Sequence, residues 1–256
     1  MNSVFTVTKF TFLEVYRSKL MMSLVFLAMG LLLVTYVASE FAYGAPAKVA
    51  LDVGLGIMAI SNLIIAVFIG STLLSKEIDQ RTLYMILSRP ISRASFLIGK
   101  ILGLSTVLLL NSFLLGVLSL GLYVYYGGES LSSLFVWALY FSFLEAFIVL
   151  AFAVLFSLIT NSTLSVIYTI CIFIVGHALN ETSKIFFVKI SPFFKALLDI
   201  GTFFIPNFYR LNLKDFLIYK QSISLEYLLN TQLYIAFYLL ALFATIIVIF
   251  KKRNLD

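Results

Sequence analysis

The sequence predicts an all-α integral membrane protein with six transmembrane helices, and three observations carry that prediction. Of 256 residues, 62% are apolar and only 12% are charged, whereas soluble domains run at about 45–50% apolar and about 25% charged. Mean hydropathy is +1.07. The apolar residues also gather into blocks long enough to cross roughly 30 Å of hydrocarbon, which takes about 20 helical residues.

The expected spans are 20–37, 53–74, 97–123, 134–158, 164–179 and 233–250. Turn and charge signals separate them: Gly44-Ala45-Pro46, Ser88-Arg89-Pro90, Gly127-Gly128 and Asn161-Ser162-Thr163. The whole chain, 1–256, reads as one membrane domain. It comprises an N-terminal helix over 1–19, spans 1 to 5 over 20–180, an external segment over 181–232, the last span over 233–250 and a tail over 251–256. Plotted at 100° per residue, the N-terminal helix gathers Phe5, Phe12, Leu13, Tyr16 and Leu20 on one arc, with Thr11, Glu14 and Ser18 opposite. Lys9 falls inside the apolar arc and must snorkel. This is an interfacial amphipathic helix leading into span 1. A cleaved signal is not expected, because the apolar run is too long and Glu14 precedes it.

Basic residues set the orientation. Lys9, Arg17 and Lys19 precede span 1; Lys76, Arg81, Arg89 and Arg93 lie between spans 2 and 3; Lys251, Lys252 and Arg253 close the chain. Both termini and the second loop are therefore expected in the cytoplasm. The segment 181–232 resists the rule, since Lys184, Lys189, Lys195, Arg210, Lys214 and Lys220 fall on the external side. It is also too apolar for an ordinary loop. Two readings stand: surface-lying or re-entrant helices ending near Pro206, or a further helical pair.

Composition excludes several functions. Cys171 and His177 are the only cysteine and histidine, so neither an internal disulfide nor a Cys/His metal site is expected. The net charge of +6 sits mostly beside apolar blocks, where it serves topology and anionic lipid and not nucleic acid.

The loop between spans 2 and 3 holds the densest pattern. Glu77 and Arg81, four apart, support a short helix with Leu83, Ile86 and Leu87 on its apolar face. Pro90 ends it, and Ser92 or Ser95 caps span 3. Such a knob offers a contact to another protein; a plain topology-setting loop is the other reading. Within the membrane, Glu145 lies near the middle of span 4, where it serves as a substrate or proton contact or as interhelical glue to Asn111 or Asn62. His177 and Glu181, also four apart, form a candidate pair or pH-sensitive gate near the outer end of span 5. Gly99 and Gly103 permit close helix approach.

Several of these stretches resemble one known family. Glu77 and Thr82, the run Leu87-Ser88-Arg89-Pro90-Ile91-Ser92-Arg93, and Gly99-Lys100 are similar to the cytoplasmic coupling segment of type-2 ATP-binding-cassette (ABC) permeases, in particular a NosY-like subgroup. Phe12-Leu13-Glu14 through Arg17-Ser18-Lys19 resembles its elbow helix, Ile205-Pro206-Asn207-Phe208 with Asn212 its motif before the last span, and Lys252-Arg253-Asn254-Leu255 its tail. Arg81 departs from the glycine many members carry there. The resemblance implies a half-transporter in a bacterial-type inner membrane, working as a homodimer. Its coupling helix (Glu77, Arg81, Thr82, Leu83, Ile86, Leu87, Arg89, Pro90, Arg93) would engage a separate ATPase. The chain has no Gly-x-x-x-x-Gly-Lys-Ser/Thr loop, so ATP and Mg are expected on that partner, with no cofactor or metal here. Export is the function implied. Mechanical transmission to a periplasmic partner for cofactor or metal-site maturation is the alternative, pointed to by 181–232 with Pro206 and Asn207. A polytopic membrane enzyme would need His, Asp, Glu or Ser clustered at one depth, and the sequence shows only isolated groups.

Overall fold

The computed structural model describes residues 3–17, 20–42, 44–79, 92–128, 133–178, 201, 205–219 and 221–252. Among them the chain is helical, with no strand. The helices are α1 (Ser3–Tyr16), α2 (Leu20–Phe41), α3 (Pro46–Asp79), α4 (Arg93–Tyr125), α5 (Leu134–Ile159), α6 (Ser162–Ala178), α7 (Lys214–Ile218) and α8 (Leu225–Lys252), with a 3-10 turn at Phe208–Leu211. Four are long and apolar enough to cross a membrane: Pro46–Thr72 of α3, and α4, α5 and α8. Two shorter apolar helices, Phe26–Phe41 of α2 and the whole of α6, occupy the first and fifth expected spans.

Several boundaries differ from expectation, for one reason. Hydropathy locates the part of a helix that meets lipid, whereas the backbone hydrogen-bond ladder continues through polar residues beyond it. Thus α3 starts at Pro46, where proline's missing N–H costs nothing, and takes in Lys48 and Asp52. It runs on to Asp79, so Glu77 stands in the last turn of α3 and does not open a separate short helix. Likewise α8 begins at Leu225, so the helix starts eight residues before the expected span. At 34 and 33 residues, α3 and α4 are each about 50 Å long at 1.5 Å per residue, well beyond the hydrocarbon thickness.

The ends of α4 are chemically fixed. Ser92 is its N-cap, accepting the Ser95 backbone N–H at 3.1 Å. At the other end Gly127 takes a φ of 81°. Its N–H donates to the Val124 carbonyl at 3.0 Å, and the Gly128 N–H donates to the Tyr123 carbonyl at 2.9 Å. This is a Schellman closure.

Contacts define direction. Asn62 bonds Ser112 while Ser61 bonds Asn111, and Gly54 abuts Ser119, so α3 and α4 are antiparallel. Gly70 abuts Ala153, and Asn62 lies one void away from Glu145, so α3 and α5 are parallel. Ser165 donates to the Ala153 carbonyl at the near end of the α5–α6 pair, and His177 meets Glu145 further along. These four helices therefore alternate, as successive crossings must. Helix α5 is the central element, with 61% of its apolar window buried against 22% for α8. Large apolar side chains face outward on the peripheral helices, such as Phe113 on α4 and Phe237 and Leu240 on α8. Such a surface is stable against lipid, not water.

The described part of the external segment packs one side against the bundle and leaves Tyr209 and Tyr219 exposed. Phe208, Leu211, Leu213 and Leu217 are all buried, the first against Gly176, where a side chain would strike both the Phe208 ring and the Pro206 carbonyl. Irregular backbone enters the bundle there, covered by protein, as it must be in apolar surroundings.

Candidate functional site

Glu145 is the one charged residue in the 26-residue α5, and the fold supplies its partner from the next helix. His177 Nε2 lies 3.3 Å from Glu145 Oε1, and the carboxylate side chain is 15% exposed. The expected bonds from Glu145 to Asn62 or Asn111 are absent. The same-helix pairing of His177 with Glu181 lies outside the described residues, and His177 turns toward α5. Its ring is held by Phe173 at a centroid distance of 4.4 Å and by Phe208 at 5.4 Å.

The pair lines a cavity of about 190 Å³ between α3, α5, α6 and residues 211–214. Lys214 guards the same cavity, its Nζ 2.7 Å from Asp52 Oδ1 on α3. Ser142, one turn before Glu145, adds a hydroxyl, while Leu55, Met58 and Phe173 make the remaining wall apolar. The Glu145–His177 contact and the Lys214 ammonium thus face a mainly apolar chamber. Neither Asp52 nor Lys214 was singled out by sequence, because helix spacing relates residues of one helix and these two belong to different elements.

Asn62 and Asn111 form a separate, closed cluster. Asn111 Nδ2 donates to Asn62 Oδ1 at 2.7 Å and to Ser61 Oγ at 2.9 Å, and Asn62 Nδ2 donates to Ser112 Oγ at 2.8 Å. All four residues are buried. With these groups bonded to one another, the cluster acts as glue between α3 and α4. Pro206 and Asn207 likewise fasten the fold: the Asn207 N–H donates to Tyr234 Oη at 3.1 Å, and Arg210 lies over the Tyr234 ring at 5.7 Å.

At the opposite end, Arg93 opens α4 and donates to the Lys251 carbonyl at the close of α8, at 3.4 Å. Two turns on, Lys100, only 6% exposed, reaches Glu14 of α1 at 3.2 Å. Here Gly99 and Gly103 form a seat for α1. A side chain at either would fall within 2.7 Å of Val7 or Thr11, and Thr8 donates to the Gly99 carbonyl at 3.2 Å. The outward arc of α1 carries Phe5 and Tyr16, both exposed. Of the other expected coupling residues, Arg81, Thr82, Leu83, Ile86, Leu87, Arg89 and Pro90 lie outside the described residues.

Both imidazole nitrogens are engaged, Nδ1 with the Phe173 carbonyl and Nε2 with Glu145. Among the described residues no three His, Cys, Asp or Glu side chains converge on a metal position.

Alternating long apolar helices define a multi-pass membrane protein. The family model described as "ABC-2 family transporter protein" matches residues 3–255, and the chain belongs to that family. It is a permease subunit of an ABC transporter, and the membership implies an ATP-binding-cassette partner. No individual curated protein matches the chain.

Proposed function

We propose that this permease subunit exports its substrate, driven by ATP hydrolysis on a separate chain that binds ATP and Mg. The observation that carries this reading is the family match over residues 3–255. It is supported by the two long helices α3 and α4, which overshoot the membrane and bracket residues 80–91. Force on that bracket would reach α1 through the glycine seat and Lys100, and α8 through Arg93. Two copies of the chain would pair, with six spans each and both termini in the cytoplasm of a bacterial-type inner membrane. Rigid-body motion of one copy against the other would open and close the path. The run from Leu87 to Arg93 supports placement in the NosY-like subgroup. Phe208, Leu211, Leu213 and Leu217 are buried in the bundle while Tyr209 and Tyr219 are exposed; mechanical transmission to a periplasmic partner is the second reading.

The test is co-purification with an ATP-hydrolysing subunit, followed by charge reversal in the coupling segment. Glu77→Lys and Arg89→Glu are expected to abolish transport-coupled ATP hydrolysis while the complex still inserts in the membrane. Unchanged coupling in both variants would remove this segment from the mechanism.

A further inference from the structure

We propose that His177 and Glu145 together bind one proton, and that this proton latches α6 and the Phe208 turn onto α5 across the chamber. The argument begins with the tautomer. His177 Nδ1 lies 3.1 Å from the Phe173 carbonyl oxygen, which can only accept, so Nδ1 carries a hydrogen. Nε2 then faces Glu145 Oε1 at 3.3 Å. A hydrogen bond there needs one further proton, either on the imidazole, which donates to the carboxylate, or on the carboxyl, which donates to the imidazole. With neither, a lone pair faces a carboxylate and the contact repels. The closed pair therefore holds one more proton than a neutral imidazole beside a free carboxylate.

The pair is also mechanically placed. It joins two helices, and the His177 ring stacks on Phe208 at an interplanar angle of 22°, so releasing it frees the 3-10 turn as well. The other groups facing the chamber do not replace the proton. Lys214, entering from α7, is the one other ionisable side chain lining the cavity among the described residues, and its ammonium is held by Asp52. Helix α3 lines the cavity with Leu55, Gly56, Met58 and Ala59, and α5 adds only the Ser142 hydroxyl beside Glu145.

The sign follows from proton counting. In the open form, exposed to water, an imidazole keeps its extra proton only below about pH 6.5. Above that value opening releases one proton, so each pH unit shifts the closed-to-open ratio about tenfold toward open. Just below that value both forms carry the proton, and the ratio is flat.

His177 is the only histidine, so protein labelled with 15N-histidine gives one imidazole signal pair in nanodiscs, with no ATPase present. The expected result below about pH 6.5 is an Nδ1–H ring; a neutral Nε2–H tautomer there overturns the proposal. Opening is read by reaction of Ser142→Cys, in a Cys171→Ser background, with an impermeant maleimide between about pH 5.5 and 8.5, a window that brackets the imidazole value. Adding Glu145→Gln supplies an amide N–H that neutral Nε2 accepts, so that variant stays closed without the proton and corrects for thiol ionisation. The rate with Glu145 in place, divided by the rate in the Glu145→Gln variant, is expected to be flat below about pH 6.5 and to rise about tenfold per unit above. Parallel profiles with and without Glu145→Gln overturn the latch. Should that variant fail to fold, His177→Gln, whose amide N–H donates to the carboxylate without an added proton, replaces it as the reference.

Discussion

Asn111 shows how a single residue acts in this fold. Its amide bridges Ser61 and Asn62 inside the α3–α4 contact, and removing it leaves two buried polar groups without a partner. Asn111→Leu is expected to destabilise the bundle by about 1–3 kcal/mol, measured by unfolding in mixed detergent micelles. Adding Asn62→Leu is expected to recover part of the loss, since replacing both partners by apolar groups is far less costly than stranding one. Equal loss in the single and double variants would mean that packing, not hydrogen bonding, makes the joint. Glu145 was legible in the sequence because a lone carboxylate in an apolar helix stands out. Its partner was not, because the i,i+4 rule looks along one helix, and His177 arrives from the next. The same blindness hid Asp52–Lys214 and Glu14–Lys100.

At the scale of elements, small residues decide which helices touch. Gly99 and Gly103 were legible as a motif, but not the helix they receive: α1 places Val7 and Thr11 on them. Gly103→Leu is expected to lift α1 off α4. Lys9 and Arg17, both already exposed, should then be cut by trypsin several-fold faster in detergent, and an unchanged rate would place the docking elsewhere. The end of α4 gives a second test. Gly127 sits in the left-handed region, where a side chain costs about 1–2 kcal/mol. Gly127→Ala is expected to lower stability by that order, whereas substitution at Gly121, a helical glycine with open space around it, should not. Where hydropathy fixed a span too short, as at the start of α3 and α8, the missing turns carry polar residues, Lys48 and Asp52 in one and Glu226, Asn230 and Gln232 in the other, that interrupt the apolar run without ending the helix.

For the whole molecule the alternating directions of α3, α4, α5 and α6 make a testable topology. In a Cys171→Ser background, Ser3→Cys and Lys252→Cys are expected to react with an impermeant reagent from one face of the membrane, and Tyr126→Cys from the other. Termini on opposite faces would require an odd number of crossings and overturn the six-span reading. The sequence alone determined that this chain lives in a membrane and which family it resembles. Burial of apolar surface and the length of a helix are local properties, written in consecutive residues. Only the tertiary structure decided that Glu145 faces His177, that the Asn62–Asn111 cluster is closed on itself, and that the Pro206-Asn207 motif plugs into the bundle. Those outcomes depend on which faces of separate helices meet, and no spacing within a single helix records that.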